Sequence, residues 1–214
     1  MTAVVDPDLA LLEQWRSGDR RAGDRLVRRH FPGVRLYFLS RYPHEHEDLV
    51  QETFSRLSKA RDAFKGASTF KTYLFRIARY VGFEHLRSKY KVEGDILPMS
   101  SSLVDLRGRR PSSLLAEQEE HRLLLDALPR LTLEQQELID LYYWQRITAK
   151  EIAEIVEIPV STVRGRIRLA LKRLAKLHQE LGQQVHGREV GEEELEQWLE
   201  ALREELNRVN LAKA

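Results

Sequence analysis

Thr132-Leu-Glu-Gln135 and Thr148-Ala-Lys-Glu151 are two capping boxes in close succession, and they constrain the fold of this chain more than any other feature. In each, the threonine hydroxyl accepts a bond from the backbone three residues on, and the Gln or Glu side chain bonds back to the cap, so each opens a helix. The first helix has Leu138, Ile139, Leu141 and Tyr142 as its apolar stripe, and the second, shorter one has Ile152, Ala153 and Val156. Glu157-Ile158-Pro159 breaks the chain, and a third helix follows over 160–177. On it Val163, Ile167, Ala170 and Leu174 fall at i, i+4, i+7 and i+11, a stripe that faces a core.

The opposite face of the third helix presents Ser161, Arg164, Gly165, Arg168 and Lys172. Arg164, Arg166, Arg168, Lys172, Arg173 and Lys176 stand between residues 160 and 177 without a single acid. A helix of this kind fits the major groove of double-stranded DNA, where arginines reach guanine edges or phosphates and a small residue lets the backbone approach. The candidates for DNA contact are Thr148 and Lys150 at the start of the second helix, then Ser161, Thr162, Arg164, Gly165, Arg168 and Lys172. A basic solvated face on a helical hairpin is the simpler alternative, but it requires neither the two caps nor the proline turn.

Helical periodicity also governs the rest of the chain, with no stretch alternating like a strand. Leu9, Leu12 and Trp15 start one amphipathic helix that should end near Ser17-Gly18-Asp19. Residues 22–39 form another, with Pro32-Gly33 expected to kink or split it; 45–64 and 68–89 are further candidates. Gly94, Pro98, Ser100 to Ser102, Gly108 and Pro111 mark a linker, after which helix returns over 114–128. The expected fold is all-α: two small helical domains (1–91 and 114–182) joined by a flexible linker (92–113), the second a helix-turn-helix domain. An acidic amphipathic extension occupies 183–214, with Leu195, Trp198, Leu199, Leu202, Leu206 and Val209 on one stripe.

Charge is unevenly spread. The net charge is +2, but residues 183–214 hold eight acids and four bases, which puts the tail at −4 and the remainder at +6. Within the N-terminal half, residues 44–52 contain Glu45, Glu47, Asp48 and Glu52 and no Lys or Arg, whereas 53–91 contain ten bases and two acids. Seven aromatic residues between Phe64 and Tyr90 interleave those bases. Bases with rings suit single-stranded or opened DNA, because cations hold phosphates and rings stack on exposed nucleobases. Helix core explains Phe70, Leu74, Ile77 and Val81 better, and leaves Tyr73 and Tyr80 open.

The chain has no cysteine, so disulfides and thiolate metal sites are excluded. His44 and His46 at i, i+2 do not share a helix face and have no evident third ligand, so no metal is expected. No phosphate-binding glycine loop or nucleophile elbow is present, so neither a cofactor nor enzymatic activity is expected. Residues 1–10 carry Asp6 and Asp8 and no apolar run, and no segment approaches the length of a membrane helix. The expectation is a cytoplasmic protein without membrane insertion.

Glu47-Asp-Leu-Val-Gln-Glu-Thr-Phe54 resembles the polymerase-binding segment of bacterial sigma factors. The stretch from Phe64 through Phe70-Lys-Thr-Tyr-Leu-Phe-Arg-Ile-Ala-Arg79 is similar to their promoter-melting segment, and 147–174 to their C-terminal DNA reader. The two-domain arrangement matches the compact extracytoplasmic-function (ECF) subgroup over about 9–181. The resemblance implies that Asp48, Leu49, Gln51, Glu52 and Phe54 lie on the helix that docks on the clamp of core RNA polymerase. It implies that Lys65, Ser68, Thr69, Lys71, Tyr73, Arg76, Arg79 and Tyr80 serve the minus-10 element, where the 65–69 loop captures a flipped base. The third helix of the C-terminal domain would read the minus-35 element, and the linker would thread toward the polymerase cleft. The implied partners are core RNA polymerase and promoter DNA, with room for an anti-sigma factor or other regulator.

The chain departs from the family pattern at Tyr80, where many members have Asn, and at Leu169 and Leu171, where many have Arg. Leu171 lies beside the core stripe and is expected to pack, while Leu169 faces outward, suited to a thymine methyl. The alternative function is an independent helix-turn-helix regulator with a helical sensing or dimerisation domain. It has no need for the acidic 47–54 segment followed by a basic aromatic one. The tail is expected either to pack as an extra helix or to act as a lid on the basic DNA-binding surface.

Overall fold

The computed structural model describes residues 6–90, 119–182 and 191–212. The expected linker (92–113), the start of the helix expected at 114 and the chain segment 183–190 lie outside the described residues. All described regular structure is helical: α1 (Pro7–Arg16), α2 (Arg20–Leu39), α3 (His46–Ala60), α4 (Phe70–Tyr90), α5 (Glu119–Ala127), α6 (Leu133–Ile139), α7 (Ala149–Val156), α8 (Val160–Gly182) and α9 (Glu192–Ala212). α6 continues into one wide π-type turn, Asp140–Trp144.

Each start has a local cause. Asp6 caps α1 by accepting from the Asp8 backbone N–H at 3.0 Å, with Pro7 at the first helical position. Asp19 caps α2 through the Arg21 N–H at 2.9 Å. Of the kink or split expected at Pro32, the split does not occur, and α2 is one continuous helix to Leu39. A proline inside a helix costs about 3 kcal/mol, but Leu26, Val34, Tyr37 and Phe38, on both sides of Pro32, are all buried, and their burial outweighs it.

α1 packs on α2, α2 on α3, and α3 on α4, forming the N-terminal bundle; α5 to α8 form the second. Their cores are continuous. α4 packs directly on α7, and the turn after α6 touches α2. Tyr37 of α2 donates its hydroxyl to Glu137 of α6 at 2.5 Å, and Gln145 donates its amide to the Gly33 carbonyl at 3.3 Å. The approach at Gly33 is close: a Cβ there would lie 2.7 Å from the Gln145 side-chain oxygen.

α9 lies against α8, α5 and the π turn and also reaches α2. Leu195, Leu199 and Leu202 are fully buried, and Trp198 lies against His178 with ring centroids 4.9 Å apart. This is the apolar stripe read from sequence, as far as Leu202; the side chains of Leu206 and Val209 lie outside the described residues.

Candidate nucleic-acid interface

Both capping boxes form. Thr132 accepts from the Gln135 N–H at 3.3 Å while the Gln135 side chain accepts from the Thr132 N–H at 3.1 Å. Thr148 accepts from the Glu151 N–H at 3.3 Å, and Glu151 accepts from the Thr148 N–H at 3.0 Å. α7 ends on Glu157 in the left-handed region, φ 59°, and α8 begins after Pro159. A side chain held there costs about 1 kcal/mol or more relative to glycine.

These caps and turns fix how α8 is presented. Val163, Ile167, Ala170 and Leu174 are buried, as are Leu171 and Leu177. Ser161, Arg164, Arg168 and Lys172 are exposed; Thr162 and Gly165 are half-buried, with open space where a Gly165 Cβ would point. Leu169 is 63% exposed and Leu171 4%, so the two family departures separate as their positions on the helix predict. Thr148 and Lys150 are exposed at the start of α7. A cleft of about 430 Å³ is lined by Tyr142, Thr148, Arg164 and Arg168, and by Glu196 of α9. Arg166 is turned aside to pair with Glu134.

In the N-terminal domain the 65–69 loop follows a single 3-10 turn (Arg61–Ala63) and is bent at Gly66, φ +72°. Its base is fastened by Arg16 of α1. That guanidinium donates to the Arg61 carbonyl at 3.0 and 2.5 Å and to the Phe64 carbonyl at 2.5 Å. Tyr73 is half-buried against Phe64, with ring centroids 4.8 Å apart, and donates to the Ala60 carbonyl at 3.0 Å. It therefore braces the loop. Lys65 and Thr69 are exposed and Ser68 is half-buried.

The other minus-10 candidates meet the C-terminal domain. Arg76 donates to Glu157 at 2.5 Å, and Tyr80, 46% exposed, donates to the same carboxylate at 2.9 Å. Those two bonds, Tyr80 first and then Arg76, hold the Glu157 carboxyl below its usual range. Arg79 pairs with Glu137 and lies over the Phe83 ring, 4.3 Å from its centroid. Thr69 and Thr72 donate to Glu151 at 3.1 and 3.3 Å. Lys71 donates to the Gln145 carbonyl; burial, followed by the nearby Arg203 charge, lowers its pKa. Sequence reasoning missed these acceptors. Glu157 did leave a trace, a carboxylate in a tight turn where glycine is at ease.

On α3, Asp48, Gln51 and Glu52 are exposed on the outer face. Phe54 is half-buried and stacks on the 39%-exposed Phe31, with ring centroids 6.1 Å apart. Leu49 is 6% exposed and belongs to the core, so within the 47–54 segment it supports the helix from beneath and offers no surface. Among the described residues, no group of three or more His, Asp or Glu side chains is placed to hold a metal, and no helix is long and apolar enough to cross a membrane.

The family described as sigma-70 region 2 matches residues 26–92, and that described as sigma-70, region 4 matches residues 121–174. The chain is 30% identical over 169 residues to the ECF RNA polymerase sigma-E factor of Haemophilus influenzae, spanning 75% of this chain and 89% of that protein. It is 29% identical over 171 residues to the sigma-E factor of Escherichia coli K12, spanning 75% and 88%. Among solved structures, the sigma factor RpoE from Bartonella quintana, crystallised with the anti-sigma factor NepR, superposes with a TM-score of 0.55 at 23% identity, over 72% of this chain and 94% of that one. CnrH, solved with the cytosolic domain of CnrY, superposes with a TM-score of 0.57 at 25% identity, over 79% and 96%. Matched through both of its domains and across most of a relative's length, the chain belongs to the extracytoplasmic-function family of RNA polymerase sigma factors.

Proposed function

We propose that this chain is a promoter-specificity subunit: it binds core RNA polymerase, directs initiation at a defined set of promoters, and carries out no catalysis itself, acting in the cytoplasm. The observation that carries this reading is the pairing, on one chain, of an acidic-faced α3 leading into the basic aromatic α4 with a basic outward face, free of acids over residues 160–177, on α8.

In this reading Asp48, Gln51 and Glu52, with Phe54 beside them, dock on the polymerase clamp. The 65–69 loop and α4, through Lys65, Ser68, Thr69, Lys71, Arg76, Arg79 and Tyr80, engage and open the minus-10 element, with Tyr73 shaping the loop. Ser161, Arg164, Arg168 and Lys172 on α8, aided by Thr148, Lys150, Thr162 and Gly165, take the minus-35 duplex. Residues 1–91 and 114–182 are the two working domains and 92–113 the segment threading the enzyme between them. RpoE was solved with an anti-sigma factor; a protein inhibitor of the same kind is a proposed partner for this chain. The independent-regulator alternative is not favoured, because the relatives are sigma factors through both domains.

The test is transcription in vitro: purified chain and core polymerase on genomic DNA, with start sites mapped. Discrete, chain-dependent starts are expected. If none appear and the chain alone binds duplex DNA as a dimer, the sigma reading is wrong.

A further inference from the structure

The donors of α4 assigned to the minus-10 element are already engaged, even where Arg76 and Tyr80 remain exposed at the surface. Arg76, Arg79, Tyr80 and Thr69 all donate to carboxylates of the C-terminal domain, namely Glu157, Glu137 and Glu151, and Lys71 donates to the Gln145 carbonyl. Phosphate oxygens are the acceptors such donors meet on DNA, and one guanidinium fork cannot serve a carboxylate and a phosphate at once. The acidic edge of the C-terminal domain thus stands where a nucleic-acid backbone would.

Two turns beside this edge are strained. Arg146 at φ 52° and Glu157 at φ 59° are the non-glycine residues with positive φ among the described residues. Glycine would relax both positions, yet each holds a charged side chain that reaches another element. Glu157 takes Arg76 and Tyr80 of α4; Arg146 takes Glu200 of α9.

α9 grips the same 140–146 turn from its other side. Tyr143 donates to Glu196 at 2.8 Å, Arg146 pairs with Glu200, and Arg203 donates to the Trp144 carbonyl at 3.2 Å. On the inner side, that turn supplies Asp140 to Arg41 and Gln145 to Gly33 and Lys71. The turn is therefore held between the N-terminal domain and α9.

We propose that the C-terminal domain, fastened by α9, occupies the minus-10 surface of its own chain, so that the free protein keeps itself off DNA until the clasp at 140–146 releases. This rests on the assignment of α4 as the minus-10 surface. The sequence left open an extra packed helix or a lid over the recognition helix; the geometry makes α9 a packed helix that clasps the turn, and among its described residues Glu196 lines the cleft beside Arg164 and Arg168.

The full chain contains no cysteine, so Asp24→Cys on α2 and Glu180→Cys on α8, both exposed positions, accept a unique pair of spin labels. The doubly labelled chain should show one narrow distance distribution. Glu157→Gly and Glu200→Ala, each added to it, should broaden and lengthen that distribution while far-UV helicity stays the same. Deleting α9 would strip cover from buried leucines, so these point variants carry the test. The second readout is affinity for a fluorescent single strand of about 20 nucleotides of mixed sequence. Each variant should bind it about fivefold or more tightly, since apparent affinity scales with the fraction of open chain. Unchanged distances in both variants would overturn the clasp, and opening without tighter binding would overturn the stand-in role. Neither measurement needs polymerase or a promoter, so failure here is distinct from failure of the sigma reading.

Discussion

Arg41 and Asp140 meet across the seam between the two domains, guanidinium nitrogen to carboxylate oxygen 3.3 Å apart, with their side chains 3% and 0% exposed. Neither that oxygen nor the Arg41 terminal nitrogens have an aligned hydrogen-bond partner, and the guanidinium instead lies over the Tyr37 ring, 3.7 Å from its centroid. A buried pair this poorly aligned adds little net stability, because desolvation offsets most of its attraction. Its effect is on register, since either charge left alone in that seam would be strongly unfavourable.

The seam should respond to pH. Burial, against the pull of Arg41, lifts the Asp140 carboxyl from 3.8 to about 6. The folded chain therefore holds that proton more tightly than the unfolded chain. The contribution is fully present below about pH 4 and is lost as pH rises through about 6. Glu151 and Glu157, whose carboxyls are lowered, act in the opposite sense, so the relevant quantity is the difference between the parent and Asp140→Asn in urea denaturation. That difference should shift in favour of Asp140→Asn across this window. A flat difference would contradict the assignment.

Gly23 tests the N-terminal bundle. A Cβ there would lie 2.6 Å from Trp15 Nε1 and 2.7 Å from Cε2 of the same rigid ring. Gly23→Ala gains about 1 kcal/mol of helix propensity, but displacing the indole costs roughly 1–3 kcal/mol. Net destabilisation is expected in chemical denaturation. A raised midpoint would mean that Trp15 swings aside freely.

The caps test the C-terminal domain. Thr148→Ala removes the acceptor at the α7 start and should cost about 1 kcal/mol, lowering Tm by about 2–4 °C in a chain of this size. Thr132→Ala should behave alike at α6. Calorimetry showing no change for either would indicate that water replaces the cap.

On the recognition face, Arg168→Ala should weaken minus-35 duplex binding by about 1–3 kcal/mol if it reads a base, or reduce the salt slope by about 1 if it holds a phosphate. Leu169→Arg should tighten binding across sequences while changing which base is preferred beside it. Titrating polymerase holoenzyme against promoter DNA at two salt concentrations separates these effects. An Arg168→Ala protein that matches its parent at both salts would remove that residue from the interface.

Much of this was legible in the sequence because the signals were local. Both capping boxes, the break at Glu157-Ile158-Pro159 and the split between buried Leu171 and exposed Leu169 follow from a few neighbouring residues. Pro32 does not split α2 because packing on both sides outweighs a local penalty. Leu49 was grouped with a docking surface because a motif names every position on a helix without saying which face is buried. The closure itself left almost no trace. Arg76 and Glu157 are 81 residues apart, and complementary charge over such a separation has no periodicity to read.

The carbonyls of Arg61 and Phe64 are gathered by Arg16, from a helix more than forty residues upstream. The loop proposed to capture a base thus contains its own chemistry but not its own shape. A fragment starting at α2 would keep Lys65, Ser68 and Thr69 and lose the staple that sets their spacing. We therefore expect α1 to act as a removable part of the tool, whose loss blunts strand opening while leaving duplex recognition by α8 intact.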